Sequence, residues 1–541
     1  MRRPAAPVLA ATALAAGVLV ALSGCKVDLA DPTWHPRPAA TGAVALAAGP
    51  EADAGNDAGV PNSAEFAPDA PALGLETRVI YSDAPGARIA ARWIEIPGND
   101  VLNSLLRGEV RRLIDENAAA TGVAYVPRAD GPRSGAGVVC QPGSASGPVG
   151  ELLADPVSTA PGDGRSVSVV CEIVAATGRL VVQKIRIVVA DGAEVQTDTV
   201  RTLYADTHGA FVAEPADLLD AGQTPQLLRS IVETLKIAAG AFEPAMQEDP
   251  SGWPPDRLTA LFTDVELTPD GSLVVRLPRD FRTDELDALG ALPDDPPLVV
   301  TVPAVSAGQY LTPRGTEIAA ALAVGAPLDL PAAEARGREP VDCAFFACVA
   351  LTFDDGPGRY TSGVLDELRS RRDAATFFVQ GVNIGGDEDL VRRAFDEGHQ
   401  IGNHTWAHPH LTGLSDADVR RELGETTAAI VAITGQRSMT YRPPYGDIDD
   451  RVQRLAGMPA ILWSVDPEDW RIPDDATLLE RTVDRPVPGD IVLCHDIHEN
   501  TARMVPAILD GLHARGFTLV TVDQLLAAAP PGIGDTVRSA R

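Results

Sequence analysis

The feature that most constrains this 541-residue chain is a change of pattern near residue 340. Beyond it, short apolar runs (Cys348 to Phe353, Ala375 to Val379, Ala460 to Val465, Ile491 to Cys494, Phe517 to Val522) alternate with helical segments. Strands separated by helices are joined by crossovers and so pair in parallel, which predicts an α/β fold, either a barrel or an open sheet.

The preceding 250 residues follow another rule. Strand-like stretches at Glu76 to Tyr81 and Arg88 to Ile96 lead into a helical pattern from Val101 to Glu116. Arg179 to Ala190 and Glu194 to Tyr204 then read as a hairpin about Asp191-Gly192, a pair suited to positive φ. At 541 residues the chain as a whole exceeds what one hydrophobic core usually supports. We therefore expect a separate α+β domain over 71–330, a linker at 331–340, the α/β domain over 341–530 and a disordered tail at 531–541.

At the N-terminus, Arg2 and Arg3 precede an apolar stretch from Val8 to Leu22, too short to span a bilayer and followed by Leu22-Ser23-Gly24-Cys25. This pattern resembles a bacterial lipoprotein signal over 1–24, with Cys25 as the lipidated residue, and implies an extracytoplasmic protein anchored to the cell membrane. Residues 25–70, rich in Ala, Pro, Gly, Asp and Asn, read as a flexible tether. A formal net charge of -30 and the absence of any basic cluster argue against a nucleic-acid partner. Export implies an oxidising compartment, so cysteines are disulfide candidates. Cys343 and Cys348 would close a short loop, Cys140 and Cys171 share the first domain, and Cys494 is left as a buried thiol in an apolar run.

Seven of the nine histidines fall in the last third of the chain: His399, His404, His408, His410, His495, His498 and His513. Thr352-Phe353-Asp354-Asp355-Gly356-Pro357 places two adjacent carboxylates after a strand, at the end where barrel enzymes carry their chemistry. One carboxylate can bind a cation while the other takes a proton from water. In His404-Thr405-Trp406-Ala407-His408 the imidazoles are four apart, so on a helical turn both would leave one face. With Asp355 they make a three-ligand set that keeps coordination positions open. The spacing of His410 fits neither face, and a solvent or capping role is expected for it.

Arg442-Pro443-Pro444-Tyr445-Gly446, Asp466-Pro467-Glu468-Asp469-Trp470 and Leu493-Cys494-His495 follow in order. The five pieces together resemble the ordered motifs of the polysaccharide deacetylase family, carbohydrate esterase family 4, also called the NodB-homology domain. The resemblance implies a distorted (β/α) barrel and a zinc-dependent hydrolase, with another divalent metal such as Co2+ as an alternative. By it, Asp354 is the general base, Asp355, His404 and His408 are metal ligands, and His495 is the general acid. Arg442 orients Asp354 and Asp469 orients His495. Tyr445 supplies a backbone N–H near the oxyanion, while Trp470 and Leu493 line the acetyl pocket. The implied partner is an N-acetylated polysaccharide: peptidoglycan, chitin oligomers, poly-N-acetylglucosamine or an acetylated xylan. From Thr263 to Tyr310 the earlier domain resembles that of the anti-sigma factor RsiV, which leaves open a binding role toward a wall glycan or lysozyme.

Overall fold

The computed structural model describes residues 45–47, 70, 73–129, 140, 143–154, 164–238, 246, 248–278, 281–287 and 298–541. The signal sequence, Cys25 and most of the 25–70 stretch lie outside the described residues. No described helix is long and apolar enough to cross a membrane.

The first region is α+β. Its larger sheet has six strands in the order Glu76–Ser82, Gly86–Glu95, Gly164–Thr177, Leu180–Asp191, Glu194–Asp206 and Val212–Ala213. All neighbours are antiparallel except the second and third, which the intervening helix Asp100–Thr121 allows to run parallel. Asn99 caps that helix, its side chain accepting from Leu102 N at 3.0 Å, and Gly122 ends it at φ 71°. Leu102, Leu106, Val110, Leu113 and Ile114 recur at three- and four-residue spacing and are buried. The predicted hairpin forms, with Gly192 at φ 59°. A second, antiparallel sheet has four strands, Ala45–Ala47, Val299–Val302, Leu273–Arg276 and Asp264–Leu267. Three residues of the expected tether thus serve as an edge strand, pairing backbone groups that Val299–Val302 would otherwise expose.

The second region is a distorted parallel barrel. Cys348–Asp354 lies between Thr376–Val379 and Ile491–His495, and Thr376–Val379 pairs with Gln400–Asn403. Single parallel bridges Asn403 to Tyr441, Tyr441 to Ala460 and Val465 to Val492 complete the ring. The expected strand from Ala460 to Val465 is regular only over Ala460–Ile461, because the carbonyls of Ile461 and Leu462 are taken by the Arg442 side chain. The expected strand from Phe517 to Val522 is likewise confined to Thr518–Leu519, since Thr521 caps a helix that begins at Val522.

The boundaries differ most from expectation. The 331–340 segment is packed rather than a free linker: Arg336 is buried, pairs with Glu76 and Glu339, and Gln524 Nε2 donates to the carbonyls of Arg336 and Glu339 at 2.7 Å each. A Cβ at Gly337 would meet the Gly398 carbonyl oxygen at 1.8 Å, so only glycine allows this approach. The Cys343–Cys348 disulfide closes a loop whose Phe345 and Phe346 rings lie 6.0 and 6.3 Å from Trp93, and Tyr125 Oη donates to the Phe345 carbonyl at 2.8 Å. One buried cluster therefore runs from the larger sheet of the first region into the barrel. The 531–541 tail is not disordered. Thr536–Val537 pairs in parallel with Ala460–Ile461, whose edge would otherwise be open, and Arg541 Nη2 donates to Asp490 Oδ1 at 2.6 Å. Cys140 and Cys171 are also bonded, and Cys494 is buried and free, as expected.

Candidate active site

Asp354 ends the Cys348–Asp354 strand and lies in register with His495, the end of Ile491–His495. At Asp355 the backbone turns left-handed, φ 70°, which separates the directions of two adjacent carboxylates. The Asp354 carboxylate faces the barrel interior, where Arg442 Nη1 donates to Oδ1 at 2.7 Å. The Arg442 guanidinium is fully buried and makes four hydrogen bonds: it also reaches Thr352 Oγ1 at 2.7 Å and the carbonyls of Ile461 and Leu462 at 3.0 Å, with the Phe378 ring 4.2 Å away. This is no surface ion pair; it fixes Asp354 in a buried site.

Asp355 Oδ1 lies 3.4 Å from His404 Nε2 and 3.3 Å from His408 Nε2. Burial alone would raise the Asp355 carboxyl, but the adjacent imidazoles hold it well below the usual carboxylate range. The Nδ1 of His404 lies 2.7 Å from the Arg442 carbonyl. A carbonyl only accepts, so Nδ1 carries the hydrogen and Nε2 presents a bare lone pair toward Asp355 and His408. One donor atom from each residue falls within 4.8 Å of the others. Two imidazole nitrogens and a carboxylate oxygen gathered in this way make a three-ligand set that fits a catalytic divalent metal ion.

The two histidines do not share a helical turn as the four-residue spacing suggested. Gln400–Asn403 is a strand, and Thr405 and His408 adopt positive φ of 65° and 59° in the loop beyond it. The loop is held from its inside: Thr405 N donates to Asn403 Oδ1 at 2.8 Å, His408 N to Thr405 Oγ1 at 3.1 Å, and Trp406 N and Ala407 N to Glu422 Oε2 at 2.9 and 2.8 Å. Backbone hydrogen bonds to side chains here replace those a helix would supply to itself.

On the other side of the site, His495 Nδ1 lies 2.8 Å from Asp469 Oδ1, and its backbone N–H donates to Oδ2 at 2.8 Å. Thr501 Oγ1 donates to the same carboxylate at 2.7 Å. Burial would lower the imidazole pKa, but the Asp469 carboxylate outweighs it and the group rises to about 9. Leu493, two residues before His495 on the strand, shares its face and is buried. Trp470 follows Asp469 and is half exposed, with the Arg471 guanidinium 4.6 Å from its ring. Tyr445 stands in the left-handed region at φ 62° and is 61 % exposed, its ring 4.5 Å from that of His408.

All ten side chains read from the motifs therefore sit at or beside one end of the barrel. Three supporting residues escaped the sequence reading. Gln380 donates to Asp355 Oδ1, Asn383 Nδ2 donates to the Asp355 carbonyl at 2.8 Å, and Glu422 holds the histidine loop. Only Glu422 left a signal, an acidic residue on the buried face of helix Asp416–Thr434. His410 stands at the N-cap position of the short helix Leu411–Gly413, as a capping role would have it, although its side chain makes no capping hydrogen bond. It is exposed, 3.4 Å from Asp447, and stacked on Tyr445.

A model of the polysaccharide deacetylase family matches residues 345–460. The peptidoglycan-N-acetylglucosamine deacetylase PgdA of Listeria monocytogenes is 42% identical over 178 residues, 33% of this chain and 38% of that protein, so the match spans well under half of that relative. A chitooligosaccharide deacetylase of Rhizobium leguminosarum bv. trifolii is 36% identical over 195 residues, 32% of this chain and 90% of that protein. A solved structure of the peptidoglycan deacetylase PdaC from Bacillus subtilis is 38% identical and covers 35% of this chain and 93% of its own, with a TM-score of 0.34.

Proposed function

The chain belongs to the polysaccharide deacetylase family, and from that premise we propose that it hydrolyses N-acetyl groups from a cell-wall amino-sugar polymer, with peptidoglycan N-acetylglucosamine or N-acetylmuramic acid as substrate. The observation that carries the reading is the convergence at one barrel end of three pre-organised pairs: Asp354 with Arg442, the Asp355 carboxylate with two imidazoles, and His495 with Asp469. Their separate environments divide the labour of amide hydrolysis.

Asp355, His404 and His408 would hold the metal, zinc by our reading, which when bound would supply Lewis acidity toward the acetyl carbonyl and lower the pKa of water. Asp354, fixed in place by the Arg442 guanidinium, takes the proton of the attacking water. His495 donates a proton to the departing amine nitrogen. With Nδ1–H committed to Asp469, the second ring proton sits on Nε2, and a pKa near 9 keeps it there at neutral pH. Tyr445 lies beside the metal-ligand histidines and Trp470 and Leu493 beside the acid, which supports their roles toward the oxyanion and the acetyl methyl.

The signal pattern, the Leu22-Ser23-Gly24-Cys25 box and two disulfides support an extracytoplasmic lipoprotein anchored through Cys25. The RsiV-like character of 71–330 supports a docking role for that region toward the wall. The test is acetate release by the chain from residue 26 onward, with and without zinc, on peptidoglycan and on N-acetylglucosamine oligomers. Retaining the first region matters because Phe345 and Phe346 pack on its Trp93. Zinc-dependent release is expected; a folded, zinc-loaded protein that releases no acetate from either substrate overturns the reading.

A further inference from the structure

The motifs account for Tyr445 but not for the ring beside it. His410 lies parallel to Tyr445, centroids 4.2 Å apart and planes 22° from each other, although both side chains stand well out in solvent. Exposed rings do not hold one orientation without support, since each can exchange rotamers at little cost. Here the support is visible. His410 Nδ1 lies 3.4 Å from Asp447 Oδ2, and Asp447 in turn accepts from Thr412 N at 3.3 Å and Thr412 Oγ1 at 2.8 Å. On its other side Tyr445 meets the His408 ring nearly edge to face, at 4.5 Å and 69°. A line of contacts thus runs from the Thr412 turn through Asp447, His410 and Tyr445 to a metal-ligand histidine.

Three of those residues, His408, His410 and Thr412, come from the loop after the third barrel strand and two, Tyr445 and Asp447, from the turn at Pro444–Gly446 and its sequel, so the stack ties two separate site loops together. Pyranose rings present C–H faces that pack on aromatic planes, and an exposed, pre-oriented pair of rings beside the reacting centre is what a polymer-binding groove requires. From this geometry, and resting on the deacetylase reading above, we propose that His410 is a positioning residue for substrate: stacked on Tyr445 and braced by Asp447, it fixes the aromatic wall against which the amino-sugar polymer lies. Its action passes through ring contact, so an aromatic replacement should serve where an aliphatic one fails.

The experiment uses the chain from residue 26 onward, zinc-loaded, in an Asp354→Asn background that removes turnover. Binding of the N-acetylglucosamine tetramer is measured by calorimetry for His410, His410→Ala and His410→Phe. We expect about three- to tenfold weaker binding for His410→Ala, the size of one lost aromatic pair, with binding partly restored in His410→Phe, which keeps the ring but not the Asp447 contact, and with melting temperature and zinc content unchanged. Equal binding by all three proteins, or binding by His410→Phe as weak as by His410→Ala, overturns the proposal. A tetramer that fails to bind even the His410 protein counts against the deacetylase reading instead. The stack is then decided without substrate by the aromatic NMR resonances of Tyr445, which must move in His410→Ala and whose constancy refutes the contact.

Discussion

Asp469→Asn isolates the electrostatic part of the site. The substitution keeps the shape of the side chain and one of its two accepting oxygens, turns the other into a donating NH2, and removes the charge that holds the imidazole proton. The rise of His495 from an ordinary 6.5 to about 9 corresponds to about 3 kcal/mol of preference for the imidazolium. A raised folded pKa also means that this stabilisation is complete below pH 6.5 and is lost as the pH climbs through about 9. Without that carboxylate, burial is opposed only by the weaker pull of the Asp354 and Asp355 charges, and the imidazole should return toward its ordinary 6.5. If His495 must be protonated to donate to the amine, activity should be close to wild type at pH 6 and fall roughly thirtyfold at pH 8, from proton occupancy alone. Two assays check this: histidine titration by NMR on metal-free protein, and acetate release by the zinc-loaded protein across pH 5.5 to 9.5. An imidazole that still titrates near 9, or an activity loss of equal size at pH 6 and pH 8, refutes the argument.

Asp354→Asn should lower acetate release by about a hundredfold or more while metal analysis finds full zinc content; full activity in that variant sinks the assignment of the base. Arg442→Met leaves the buried Asp354 carboxylate unpaired and should cost about 3–5 kcal/mol in chemical denaturation, and adding Asp354→Asn should recover part of it; a stability loss near zero contradicts the buried pair. Asp496 is fully buried, and burial outweighs its bond to Thr361 to raise its pKa from 3.8 to about 7. Because that folded value lies above the unfolded one, stability should drain away as pH rises from about 4 to 7, and Asp496→Asn should gain a few kcal/mol over wild type at pH 8 but little at pH 4. Melting curves at the two pH values suffice, and an advantage independent of pH dismisses the idea.

Much of the site was legible before any fold was known, because strand ends and turn residues are local features. The carboxylates follow an apolar run that becomes a parallel strand, and the cysteine spacings correspond to the bonds formed. The hairpin at Asp191-Gly192 follows from glycine's tolerance of positive φ. The order of five short motifs was enough to name their chemistry, since each residue type is required by its step.

What the sequence could not carry are contacts between residues far apart in the chain. The four-residue spacing of His404 and His408 suggested a helical turn. Their common direction comes instead from a loop that Glu422, fourteen residues beyond His408, pins by accepting two backbone N–H groups. A run rich in Ala and Arg reads as a linker until Glu76 and Gln524 supply partners for Arg336, and a polar tail reads as disordered until the short Ala460–Ile461 strand offers it an edge. Local pattern determined which groups take part in the chemistry. Tertiary structure decided how they are aimed, because a polar or charged side chain acquires a fixed position, and a shifted pKa, only from the partners that burial brings to it.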